Sequence, residues 1–169
     1  MTSAELLVDA IGRIRESVHA TVEGLTEEQL AYRVDADANS IAWLAWHLTR
    51  VQDDHVAGVA DTDQVWIAQG WVDRFKLPFP PEAHGYGQSS KQVGQVKVGA
   101  DLLLGYLDAV TEQTVSYLES LTDEDLPRIV DENWDPPVTL GVRLISLIND
   151  GMEHAGQAAF VRGIVERRG

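Results

Sequence analysis

The stretch "NDGMEHAGQ" at 149–157 sets Asp150 and His154 four residues apart inside a helical pattern, so the two side chains stack one turn apart on one face. A second stretch, "AWHLTRVQDDHV" at 45–56, carries His47 and His55. Imidazole nitrogens and carboxylate oxygens bind divalent metals, and they also move protons. The chemistry suggested is therefore metal binding with an acid–base group beside it.

Spacing alone leaves other outcomes open. An inward histidine can be a hydrogen-bonded core residue. An Asp–His pair at i, i+4 can be a surface ion pair stabilising by only a few tenths of a kcal/mol. A buried Asp150 carboxylate would still need a partner, and a divalent ion held by His47, Asp150 and His154 would supply one. Such a donor set suits zinc, and also nickel or iron(II). Two nitrogens and one oxygen leave coordination positions open, as in catalytic rather than structural zinc.

Four long helical patterns must position these residues. The first covers about 3–24, with Thr2 and Glu5 at capping-box spacing and Leu6, Ala10, Ile14 and Val18 at helical intervals. The second starts after Ser40 and runs to Gly58 or Asp61, its stripe being Ile41, Leu44, Leu48, Val51 and His55, with His47 at the margin. The third covers about 99–120, with Leu103, Leu107, Val110, Thr114, Tyr117 and Leu121 on one side. The fourth follows Pro136-Pro137, starting near Thr139 and reaching about Glu166. Its inner face takes Leu140, Leu144, Leu147, His154, Ala158 and Val161, and Gly151 permits a close approach. Arg143 lies near the edge that carries Asp150.

"LTEEQLAYRVD" at 25–35 and "LTDEDLPRIVD" at 121–131 echo one another after the first and third helices. They are read either as similar connectors or as marking two helical hairpins. Both readings give one all-α domain over 1–169, an up-and-down four-helix bundle. Between the second and third helices runs "TDQVWIAQGWVDRFKLPFPPEAHGYGQSSKQVGQV", holding Trp66, Trp71, Phe75, Phe79 and Tyr86. A connection this long carries structure of its own or serves function. Its aromatics either cover one end of the bundle or wall a ligand pocket.

The composition excludes several classes. A formal charge of −14 disfavours nucleic acid and anionic membranes. With no cysteine, disulfides, thiolate ligands and a cysteine nucleophile are excluded, and any thiol must come with the substrate. The N-terminal pattern reads as an amphipathic helix rather than a secretory signal, and no run approaches the roughly 20 apolar residues of a membrane span. A cytoplasmic protein is expected. No HExxH, GxxxxGK[ST], GxSxG or GxGxxG motif is present, and "GYG" at 85–87 is too generic to assign. Of Asp53 and Asp54, one is read as solvated, without deciding which.

"SIAWLAWHLTRVQDDH" together with "DGMEHAGQAAFVRG" resembles the DinB-like superfamily of bacterial four-helix bundles, also known as YfiT-like metal-dependent hydrolases. The likeness runs from the first helix to about Arg162. The family pattern is one histidine on the second helix and H-x-x-x-H-x-G-Q on the last. It thus implies His47 and His154 as metal ligands, with Asp150 where a histidine is more common. "WHLTRVQDDH" and the following "GW-DRF-LPF" look most like the mycothiol S-transferase branch. The resemblance implies a zinc-dependent transfer of a low-molecular-weight thiol such as mycothiol to an electrophilic small molecule, in detoxification. His55 would help move a proton, and Arg143 or Arg50 would hold an anionic group. A homodimer is compatible with it. The alternatives are a metal-dependent hydrolase or a stress-related bundle that binds a metal or small ligand without turnover.

Overall fold

In the computed structural model, which describes residues 1–168, the chain is mostly helical. Four long helices dominate: α1 (Ser3–Val22), α3 (Ile41–Ala60), α7 (Ala100–Glu119) and α8 (Leu140–Arg167). Between them lie the short helices α2 (Glu27–Leu30), α4 (Val65–Ala68), α5 (Trp71–Phe75) and α6 (Ser90–Val93), and a two-stranded antiparallel pair, β1 (Ile129–Asp131) and β2 (Val138–Thr139).

The helix starts follow their caps. Thr2 and Glu5 form the reciprocal capping box of α1, Ser40 accepts from the Trp43 amide, and Thr139 accepts from the Val142 amide. Each such cap stabilises its helix by about 1 kcal/mol. Thr26 and Gln29 close a capping box on α2. Its counterpart Thr122 bonds Asp125 in a similar way without starting a helix.

The helix order differs from the expected up-and-down arrangement. α1 packs along α7 and α8, and α3 packs along the same two. The first and second long helices, α1 and α3, therefore lie on one diagonal and the third and fourth, α7 and α8, on the other, so neither pair is a packed hairpin. Directions follow from contacts. Arg50 meets Tyr106 and Tyr117 meets Val59, so α3 and α7 run parallel. Gly151 faces Ile14 and Arg162 reaches the Ala20 carbonyl, so α1 and α8 run parallel as well. A 20-residue helix is about 30 Å long, and the chain must travel back that distance to begin α7 parallel to α3. This is the physical reason for the long aromatic connection.

The connection covers a second side of α3, burying Trp46, Arg50 and Asp53 as well as the expected Ile41, Leu44 and Leu48. Trp66, Trp71 and Phe75 gather around Tyr106 of α7, and Phe79 packs on Trp46. On α1 the buried stripe is Leu7, Ile11, Ile14 and Val18, one residue off the expected register at its start, while Leu6 is exposed.

Candidate metal centre

His47 sits on the second turn of α3, and Asp150 and His154 on successive turns of α8, which runs antiparallel across it. One ligand atom from each of the three lies within 4.8 Å of the others. His47 is buried, whereas Asp150 and His154 are half-buried. The α8 stripe passes inward through Gly151 and Ala155, leaving His154 at its edge rather than its centre. Gly151 lets α1 approach closely there, since a Cβ would come 3.0 Å from Ile14 Cδ1 and that side chain would have to give.

Both imidazoles are oriented from behind. His47 Nδ1–H donates to the His84 carbonyl at 2.5 Å, and His154 Nδ1–H donates to Gln157 Oε1 at 2.9 Å. Each ring thus keeps its Nε2 lone pair for the space they share, the arrangement expected of metal-binding histidines. His154 Nε2 faces Asp150 Oδ1 at 3.5 Å, and Asp150 Oδ2 is buried without a hydrogen-bond partner. Trp43 stacks on His47 with ring centres 4.6 Å apart, and its indole N–H donates to Gln88 Oε1 at 2.8 Å. Gly85 lies against the same ring at φ +102°, where a Cβ would come 2.6 Å from His47 Nδ1. The unassigned "GYG" is therefore a close-approach segment that only glycine at 85 permits.

The electrostatics point the same way. Burial pushes the His47 pKa down and keeps the ring neutral. The Asp150 hydrogen bond raises that of His154 despite burial. Burial would raise the pKa of Asp150, but the histidines around it outweigh that and hold it below the usual carboxylate value. With His154 neutral, an ionised carboxylate and two ring lone pairs converge; with His154 protonated, its Nε2–H faces Asp150 instead, the proton that a bound cation would displace. A divalent cation fits that donor set.

A model of the mycothiol S-transferase family matches residues 6–167. The chain belongs to this family. The match covers both halves of the histidine–aspartate cluster, in line with the resemblance. A crystal structure of a conserved protein from Enterococcus faecalis is 32% identical to this mycothiol S-transferase family member. It covers 98% of each chain with a TM-score of 0.91. No curated protein matches. No helix among the described residues is long and apolar enough to cross a membrane.

The other residues of interest in this family member separate into two groups. His55 lies two turns beyond His47 on α3, half-buried, with Nδ1 unpartnered. Burial and then the Arg143 charge lower its pKa. Arg143 is bound to Asp131 at 2.8 Å. Arg50, by contrast, is fully buried and turned toward α7. It donates to the Ala83 carbonyl at 3.1 Å and the Tyr106 hydroxyl at 3.2 Å, with Asp53 3.6 Å away. It cannot meet an anionic substrate. Asp53 caps α4, accepting from the Val65 and Trp66 amides and from Tyr106, so the solvated member of the acidic doublet is Asp54. Trp71 is buried in the core and half-buried Phe79 packs against it, whereas His84 and Gly85 meet the His47 ring and Gln88 bonds the Trp43 stacked on it.

Proposed function

We propose that the chain is a divalent-metal-dependent thiol S-transferase, joining mycothiol to an electrophilic small molecule in the cytoplasm. Its scaffold is a DinB-like four-helix bundle, and the 83–88 end of the aromatic connection forms one wall of the site. His47, Asp150 and His154 are the ligands, zinc being the first choice and nickel or iron(II) acceptable to the same donors.

The single observation that carries this reading is the meeting of two Nε2 lone pairs and a carboxylate, each imidazole locked from behind through Nδ1. A bound divalent ion supplies Lewis acidity that ionises a thiol near neutral pH. The rest is work for the chain. The chain brings no cysteine, so the sulfur comes with the substrate. In this reading His55, kept neutral by burial and by Arg143, takes the thiol proton at its ring nitrogen. Arg143, anchored through one nitrogen on Asp131, has further N–H groups for an anionic part of the electrophile.

The test is turnover of one electrophile with mycothiol, glutathione and coenzyme A, before and after metal removal and restoration. Metal-dependent consumption of mycothiol is the expected result. An unchanged rate after metal removal would end the reading, and so would absence of turnover in metal-loaded protein with all three thiols.

A further inference from the structure

A groove of about 580 Å³ runs along the α3–α8 seam, beginning at Gln157 beside His154. Its floor is apolar, formed by Leu44 and Val161, and Phe160 stands at its rim, 69% exposed. The opposite wall is the turn before α3, which presents Asp37 and Asn39. That turn is held in place from within. The Asp35 carboxylate accepts from the amides of Asp37 and Ala38, and Arg33 donates to the Ala38 carbonyl. Among the described residues, the Asp37 carboxylate, the Asn39 amide and the Gln157 amino group have no intramolecular hydrogen bond, whereas the groups behind them are all engaged.

A carboxylate, a side-chain amide and an amino group lining one groove beside an exposed phenyl ring offer both acceptors and donors to a ligand. Vicinal hydroxyls both donate and accept, so they satisfy such a set where a hydrocarbon would not. A phenyl ring at the rim covers the C–H face of a saturated ring. No lysine or arginine lines the groove, in a chain whose formal charge is −14. A carboxylate- or phosphate-bearing ligand would meet Asp37 with no compensating cation.

We propose that this groove is the subsite for the neutral polyol portion of the thiol substrate, and that it selects an uncharged sugar-bearing thiol over anionic ones. The proposal rests on the thiol-transfer reading for its substrate. Mycothiol suits the groove chemically, because its cysteine is N-acylated and attached to a glucosamine–inositol pair that carries hydroxyls and no anion. The acylcysteine arm would reach past Gln157 toward the His47–Asp150–His154 cluster while the two rings lie between Asn39 and Phe160.

The test has two independent arms. In the first, metal-free protein is titrated with N-acetylglucosaminyl-inositol, which has no sulfur, and followed by amide NMR. Shifts are expected at 37–39 and 156–161, with affinity about tenfold weaker in Phe160→Ala. In the second, KM is measured for mycothiol and for N-acetylcysteine with one electrophile. Phe160→Ala and Asn39→Ala should raise KM for mycothiol about tenfold and leave N-acetylcysteine unchanged, and Asp37→Lys should lower KM for glutathione. Polyol binding at these residues without turnover of any thiol would keep the subsite and overturn the transfer reading. Mycothiol turnover with KM unmoved in every groove variant, or no polyol shift at these residues, would overturn the subsite and leave transfer standing.

Discussion

The backbone carbonyl of His84 and the ring of His47 are bonded 37 positions apart in the chain, and that bond decides which imidazole nitrogen meets Asp150. Replacing either histidine of the cluster removes a donor whose direction the fold has already set. His47→Ala and His154→Ala should each lose most of their bound metal, while helical content is retained. Elemental analysis of the purified variants beside far-ultraviolet circular dichroism checks this, and unchanged metal in both would exclude the site.

Gly85→Ala tests the same contact from the loop side. A methyl there meets His47 Nδ1 at 2.6 Å and Trp43 at 3.2 Å, at a positive φ that disfavours any side chain. The loop or the ring must move. Metal affinity should fall about tenfold or more, consistent with losses seen when groups behind metal ligands are removed, with a stability loss of about 1–3 kcal/mol. Competition with a metal indicator and urea unfolding measure the two effects.

The acidic doublet gives a contrast. Asp53→Ala strands the buried Arg50 guanidinium and uncaps α4, and loss of one partner of a buried pair costs about 3–5 kcal/mol. Burial nevertheless pushes the Asp53 pKa up, so its ionised form depends on those donors. Asp54→Ala loses one half-exposed contact to Gln64 and should change stability by about 0.5 kcal/mol or less. Urea unfolding of the two variants distinguishes them.

Trp71→Ala opens the packing of Trp71 on Gly105 and Tyr106 and should cost about 3–5 kcal/mol. Its packing against Phe75, Gly105 and Tyr106 rather than any residue of the cluster predicts an unchanged KM for both substrates under conditions where the variant is folded. A raised KM with unaltered stability would return Trp71 to the pocket wall.

His19 links α1 to α7 through Asp108 at 2.8 Å and bonds Glu23 at 2.9 Å. Burial disfavours its charged form, but the two carboxylates outweigh that and raise its pKa above 6.5. A raised folded-state value means the protonated ring favours folding. The contribution is complete below pH 6.5 and fades as pH rises through the folded value. The stability gap between wild type and His19→Gln should therefore be larger at pH 5.5 than at pH 8.5, by under about 1 kcal/mol given partial exposure. Thermal unfolding of both proteins at the two pH values reads it.

Helix ends and the residues of the histidine–aspartate cluster were legible because their signals are local. Ser40 and Thr139 cap where caps are expected, and Asp150–His154 is an i, i+4 pair visible in any helical reading. Helical periodicity says which face is buried but not which helix buries it, so the diagonal order could not be read. The same limit misplaced His55, assigned to the core stripe, and His47, assigned to its margin. With the connection packed on a second side of α3, the buried arc widened, took in His47 and Asp53, and left His55 half-buried. The acceptor behind His47 is a main-chain oxygen, which no residue type announces.

The diagonal order also has a consequence for how the chain comes together. α1 and α3 are the first long helices to leave a ribosome, yet neither has the other as a packing partner. Their neighbours α7 and α8 lie in the second half of the chain. Early segments thus wait with apolar stripes uncovered, and the contacts between the long helices close long loops, a topology that slows folding. His47 meets Asp150 and His154 only when the last helix docks. A nascent or truncated chain lacking α8 therefore has an incomplete donor set, so metal capture under the proposed reading would be a late event that waits for α8 to dock.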